Sequence, residues 1–314
     1  MQRTDNQVAG EHRGHAEQNA RNPGRGGQAW ADKGEQYSPN PAPEAQIDKI
    51  GHVERPHRAH GERGKADQPD RVKDPDTEIH VAGITEIGGV GDQFRYLEYL
   101  ETGEVLKNVG RAVREGYDAF LIGNIADPGL REAREIADIP VLGLCESAMH
   151  VACMMGANFS FVTINEKFTP RIVENVARYG LRDRFAGAAR MQIDRLTDLG
   201  PGFDDPEAQR RILAHFNAAA RKNTEAGAEV VIAAGGVVMA LLAHAGVYET
   251  EDGVPILNGI TNLVKLGEMA VKMSKIMGGR FTSKKCSYAP PPVDQIATFR
   301  KHYGADIYPT VAAP

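Results

Sequence analysis

Cys145, Glu146 and His150 fall close together in VLGLCESAMH, and Asn124 and Asp127 stand shortly before them in GNIADPG. A thiol, a carboxylate and an imidazole can exchange protons near neutral pH once their surroundings tune them. Cys145 would open a helix, where the partial positive charge favours a thiolate; a small buried residue at a strand–helix junction is the competing reading. Glu146 can bond a substrate N–H or the first-turn amides of its own helix. His150 follows about one turn on and can act as a general acid or base, or be an ordinary structural histidine. Asp127 can contact a ligand or cap the helix after it. Thr163 and Asn165 close a later strand just before a helix start, which makes either a carboxylate site or a plain turn. Gly235-Gly236 allow a substrate close to the backbone, or form a tight packing turn. Thr85 opens a loop with three glycines, Thr85–Gly91, whose N–H groups can surround an anion or simply turn the chain.

These residues need a scaffold that brings them to one rim. Tyr117 to Gly156 reads strand, loop, helix, strand, helix: Ala119–Ile122 and Val141–Leu144 are the apolar runs, and Asp127-Pro128-Gly129 is the turn between them. Strands joined this way are parallel neighbours with a right-handed crossover, and ligands bind at their carboxyl ends. That puts Asn124, Asp127, Cys145 and Glu146 on one edge. The pattern begins at Glu78–Ile84, expected as the first strand, followed by a helix from Phe94 to Glu115. A second set starts with Phe159–Thr163, then a helix from Thr169, expected as N-cap, with Pro170 at its first position. It continues through a short strand at 186–192, a long amphipathic helix from Pro206 to Gly227, a buried strand at Ala228–Ala234 and an apolar helix to Ala245. Pro255-Ile256-Leu257 and a helix to about Met277 come last. The fold class is therefore α/β, with two pseudo-symmetric doubly wound parallel-sheet lobes and the active-site cleft between them. Residues 77–156 plus 254–292 are expected to build the first lobe, 157–253 the second, and 293–314 a C-terminal tail.

Residues 1–76 are of different material, rich in Gly, Arg, Gln, His and charged groups and without Leu or Phe. Such a segment buries too little apolar surface to offset its ordering entropy and reads as a disordered polar extension. The whole chain has 314 residues, 41% hydrophobic, with a net charge of −5, so it can bury one or two ordinary cores and has no basic footprint for nucleic acid. No apolar run reaches the roughly 18 residues of a membrane span, and no secretory leader is evident. Three cysteines, Cys145, Cys153 and Cys286, lack metal-ligand spacing and fit a reducing, cytoplasmic setting. No cofactor or metal is expected, and the expected partners are a small-molecule substrate and other copies of the chain.

DPGLREAREIADIPVLG, ESAMH, FSFVT, GAEVVIAAGG, PILNGITNLVKLGEMAV and TSKKCSYAPP, in this order over about 79–292, resemble the hydantoin racemase branch of the aspartate/glutamate racemase superfamily. The resemblance implies two α/β lobes around a small carboxylate or cyclic ureide, and cofactor-free proton transfer at a carbon next to a carbonyl. It further implies two cysteines, one per lobe, acting on opposite faces of that carbon. The first position is occupied here by Asn124 and the second by Gly235, or Gly236 if the register slips by one. The Asn-Pro-Asn-Thr loop expected after the first strand is replaced by Gly83-Ile84-Thr85-Glu86. The function so implied is that of a racemase, with a related decarboxylase or cis–trans isomerase, or a catalytically silent binding protein, as alternatives.

Overall fold

The computed structural model describes residues 48–53, 69–84 and 93–311. Its centre is two four-stranded sheets, parallel throughout. Strands β1 (Asp48–Val53), β2 (Thr77–Ala82), β3 (Ala119–Ile122) and β4 (Val141–Gly143) lie in the order β2-β1-β3-β4. Strands β5 (Phe159–Thr163), β6 (Phe185–Arg190), β7 (Val231–Ala234) and β8 (Ile256–Leu257) lie in the order β6-β5-β7-β8. Each lobe thus repeats one topology, with its first and third strands adjacent at the centre. At the carboxyl ends of those two strands the winding direction reverses, the place where open α/β sheets in general bind ligands.

Helices α1 (Arg95–Arg114), α2 (Leu130–Ile136) and α3 (Leu144–Met155) accompany the first sheet, and α4 (Thr169–Arg178), α5 (Pro206–Glu225) and α6 (Gly236–His244) the second. Helix α7 (Gly259–Ile276) and helix α8 (Val293–Tyr303) complete the chain. β3 shows why the sheet is covered on both sides. Phe120 and Ile122 point into a cluster with Val105 and Val109 of α1 and Leu130 of α2. Ala119 and Leu121 point the other way, into a core that also holds α3, α7 and the second lobe. Alternate residues of one strand therefore feed two cores, as the period of two requires. In α3, Leu144, Cys145, Ala148, Met149 and Ala152 form one helical face within the larger core, which places this helix between the lobes.

Four expectations about organisation change. Residues 48–53 belong to the segment read as disordered, yet they form a central strand, paired with β2 on one side and β3 on the other. Backbone pairing on both edges supplies what the composition of that segment gave no sign of. Residues 1–47 and 54–68 lie outside the described residues. Glu78–Ile84, expected as the first strand, is represented by the edge strand β2, so the loop at Gly83 follows an edge and not the centre of the sheet. The segment 254–292 is divided: β8 pairs with β7 in the second sheet, whereas α7 packs on β3, β4 and α3 of the first lobe. The C-terminal tail is also folded. Ile296 of α8 is buried, and Arg300 donates to the carbonyls of Ile307, Tyr308 and Val311 at 3.3, 3.0 and 2.8 Å.

Candidate active site

The first functional loop leaves β3 at Gly123-Asn124 and turns at Asp127, whose φ of 53° is left-handed. Asn124 makes the turn: its Oδ1 accepts from Ala126 N–H at 2.8 Å and its carbonyl accepts from Asp127 N–H at 3.0 Å. The expectation that Asp127 caps the helix directly after it is overturned. Its carboxyl caps α3 instead, taking Cys145 N–H at 2.9 Å on one oxygen and Glu146 N–H at 2.8 Å on the other. The Tyr179 hydroxyl donates to the second oxygen at 2.8 Å. The left-handed turn at Asp127 aims the side chain across the sheet instead of along the chain. Gly143 makes room for it, since a Cβ there would lie 2.6 Å from Asp127 Cγ. Burial raises the Asp127 carboxyl to about 7, against the three donors that lower it.

The same loop is gripped from the other lobe. Asn175 Nδ2 donates to the Ala126 carbonyl at 3.2 Å, and Arg171 Nη2 to the same oxygen at 3.3 Å. Arg171 is in turn held by Glu98 of α1 through a two-bond, buried ion pair, with Nε to Oε2 at 2.7 Å. Arg171, Asn175 and Tyr179 recur about one turn apart along α4, so they present one polar stripe to the loop. None of these residues was singled out in the sequence. Glu98 and Arg171 are 73 positions apart, and no local pattern joins them. A helical spacing of Arg, Asn and Tyr on α4 was the available signal.

Cys145 does not behave as a helix-start thiolate. It is wholly buried in the main core, and burial first, then the nearby Asp127 charge, push its thiol well above the ordinary range. The helix-start amides that would have stabilised a thiolate are bonded to Asp127. Glu146 neither faces a free cleft nor serves its own first turn; its carboxylate forms a two-bond pair with Arg134 of α2. His150 is exposed, and its Nδ1 lies 2.7 Å from the Glu146 carbonyl one turn back, which is a local contact on the outside of α3. Cys153 is partly buried against the core, and Cys286 is exposed. Lys284, beside it in the TSKKCSY segment, closes the C-terminal end of α2 by donating to the carbonyls of Arg134, Glu135 and Ala137.

The second lobe contributes its loops after β5 and β7. Thr163 is buried at the end of β5, its hydroxyl bonded to that of Thr169. Thr169 is not the cap of α4, whose start carries no side-chain cap; Asn165 instead turns the chain into the helix, its Oδ1 accepting from Phe168 N–H at 3.0 Å. Thr169 turns its hydroxyl back to the Asn165 carbonyl at 2.8 Å, because it already lies inside the helix. Asn165 Nδ2 also reaches across to Gln93 Oε1, just before α1, at 3.2 Å. A cavity of about 970 Å³ opens here, lined among others by Gln93, Asn165, Arg190, Met191 and His215. After β7, Gly235 precedes α6 and Gly236 begins it. A Cβ on Gly235 would stand 2.7 Å from Ile164 Cδ1, so the absent side chain is filled by the loop after β5. At the matching end of β8, Asn258 caps α7 through Ile260 and Thr261 N–H and ties α6 down by donating to the Met239 carbonyl. Thr85 and Glu86 lie outside the described residues.

The structure therefore places Asn124, Thr163, Asn165, Gly235 and Gly236 at carboxyl ends of central strands. It assigns Asp127 and Glu146 to the frame behind them, and sets Cys145 in the core and His150 on the surface. Among the described residues no helix is long and apolar enough to cross a membrane, and no group of three His, Cys, Asp or Glu could hold a metal ion.

Two parallel sheets of identical topology, with loops gathered at their central strand ends, define a two-lobed α/β protein. The chain belongs to the Asp/Glu/Hydantoin racemase family, whose model matches residues 73–267. It is 32% identical over 231 residues to a hydantoin racemase of Pseudomonas sp. (strain NS671), covering 73% of this chain and 86% of that protein. A hydantoin racemase of Rhizobium meliloti is 31% identical over 193 residues, covering 62% of this chain and 74% of the relative. Among solved structures, the allantoin racemase from Klebsiella pneumoniae superposes with a TM-score of 0.62 at 25% identity, covering 78% of this chain and 94% of that one.

Proposed function

We propose that this protein exchanges the proton on a carbon next to a carbonyl of a small cyclic ureide, of the hydantoin or allantoin type, without using any of its three cysteines. The observation that carries the reading is the contrast at the site: a family member with its loops in place at the ends of β3, β5 and β7, but with Asn124 and Gly235 where the resemblance expects thiols. Cys145, the thiol nearest the rim in sequence, is buried and hard to ionise, so it does not substitute. A five-membered ureide suits such a site. Its carbon acid is activated by its own carbonyl, and removal of the proton leaves charge on oxygen, where fixed donors stabilise it. The Asn124 amide and the backbone N–H groups at the start of α6 are donors of that kind. In this reading the base is a group other than a thiol, and solvent supplies the returning proton. Substituted malonates, as decarboxylation substrates, would use the same enolate stabilisation.

A second reading rests on the same two positions: a protein that binds the ligand and performs no chemistry on it. Both are tested by incubating single enantiomers of 5-substituted hydantoins and allantoin in deuterated water, followed by NMR and chiral chromatography. The experiment is run on the wild type and on a variant with all three cysteines changed to Ala or Ser. Deuterium incorporation with loss of optical purity in both proteins is the expected result. Activity abolished in the cysteine-free protein, despite normal folding, would overturn the thiol-independent reading. Saturable protection against heat with no exchange on any substrate would replace it by the binding protein.

A further inference from the structure

A separate cavity of about 720 Å³ opens where α1, the beginning of α2 and the end of α4 meet. Asp127, Arg171 and Tyr179, the groups through which α4 holds the loop after β3, all line it. Leu100, Leu106, Pro128 and Leu130 give it apolar walls. Its charged lining is uneven. Arg95 and Arg171 are matched by Glu174 and Glu98. Arg131 and Arg178 make no close ion pair among the described residues, although Glu174, one turn back on α4 and already bonded to Arg95, also feels the Arg178 charge; Arg131 gives one N–H to the Arg178 carbonyl at 3.2 Å. Glu132 is the single further carboxylate in the lining besides Asp127 and Glu98. Two exposed guanidinium groups without a close ion pair, above an apolar hollow, suit a molecule with an anionic end and an apolar body.

We propose that this cavity is a second binding site, for a small organic carboxylate with an apolar body, and that its occupation tightens the hold of α4 on residues 124–128. Arg131 belongs to α2 in the first lobe and Arg178 to α4 in the second. A carboxylate that engages both guanidinium groups bridges the lobes at the junction already spanned by Asp127 and Tyr179. It binds better when the two are held together, and so it shifts the population toward that arrangement. The site is independent of whether proton transfer occurs between the lobes.

The test uses the full chain, with 3-phenylpropionate as the probe and inorganic phosphate as the bare-anion control. Binding is followed by calorimetry, and amide hydrogen exchange is read over residues 124–128. The wild type is compared with the double variant Arg131→Gln, Arg178→Gln, whose changes lie on exposed side chains. The expected result is saturable binding of 3-phenylpropionate, slowed exchange in 124–128, at least tenfold weaker binding in the double variant at an unchanged unliganded Tm, and weaker binding of phosphate. Absence of saturable binding, or equal affinity in the double variant, overturns the site. Phosphate binding as tightly as 3-phenylpropionate overturns the ligand class, and binding that leaves exchange in 124–128 unchanged overturns the coupling.

Discussion

Asp127→Asn is the substitution that most directly tests how the frame of the site is held. The Asp127 carboxyl is buried, bonded to Cys145 N–H, Glu146 N–H and the Tyr179 hydroxyl, and raised by burial from 3.8 to about 7. An acid whose folded value lies above its unfolded value binds more protons folded than unfolded between the two. Its contribution to stability is complete below about 3.8 and is lost as pH rises toward about 7. Between pH 5 and pH 8 that loss amounts to about 2–3 kcal/mol for one proton at roughly 1.4 kcal/mol per unit. The amide variant cannot titrate and lacks this slope. Urea unfolding of both proteins at pH 5, 6, 7 and 8 should therefore show the wild-type advantage over Asp127→Asn shrinking with pH by this amount, whatever its starting value. Net growth of that advantage with pH would refute the reasoning. It would mean that the three donors outweigh burial and that the native group is an ionised carboxylate throughout.

The remaining predictions concern the same frame. Gly143→Ala drives a Cβ to within 2.6 Å of Asp127 Cγ and should lower stability by about 2–4 kcal/mol in thermal or urea unfolding, because a held carboxylate has nowhere to go. Glu98→Gln leaves the Arg171 charge buried without its partner and should cost about 3–5 kcal/mol; in a double-mutant cycle, Glu98→Leu with Arg171→Leu should recover much of that loss. Under native conditions a thiol reagent should modify Cys286 rapidly and leave Cys145 unmodified until the protein unfolds, as peptide mapping would show. Asn175→Ala removes a donor to the Ala126 carbonyl and should speed amide exchange across residues 124–128 while α5 remains protected.

The parts of the fold set by local pattern were legible in the sequence. The long helix α5 shows as the amphipathic run that begins at Pro206. The strands β3, β5 and β7 show as short apolar runs because parallel strands covered on both faces lose their alternation. What failed depends on partners distant in the chain. β1 is a polar-looking segment that is a strand only through pairing with β2 and β3. Asp127 carries the residue type and turn chemistry of a cap, but its left-handed backbone sends the carboxylate to a helix 18 and 19 residues on. Cys145 has the helix-start position of a reactive thiol, and only the packing of α3 between the lobes reveals that burial decides its state. Position along an element is written locally, whereas ionisation is set by everything packed around the group.

The two positions that lack thiols have local structure fitted to their present occupants. Asn124 uses its side-chain oxygen to bind Ala126 N–H, which closes the turn leading to Asp127, and a thiol is a poor acceptor for that bond. Gly235 has the space of its missing Cβ taken by the end of Ile164. Returning both positions to cysteine is therefore two different operations. Asn124→Cys loses a turn-forming bond on a loop that α4 still grips through Arg171 and Asn175, so the backbone should survive it. Gly235→Cys requires Ile164 to withdraw, and Ile164→Val supplies that room by removing the Cδ1 atom that stands 2.7 Å away. If proton exchange on a hydantoin rises only in the triple variant Asn124→Cys, Gly235→Cys, Ile164→Val, the lobes hold a two-thiol geometry that this sequence does not use. If the triple variant folds and exchange falls below that of the wild type, the present residues carry chemistry of their own.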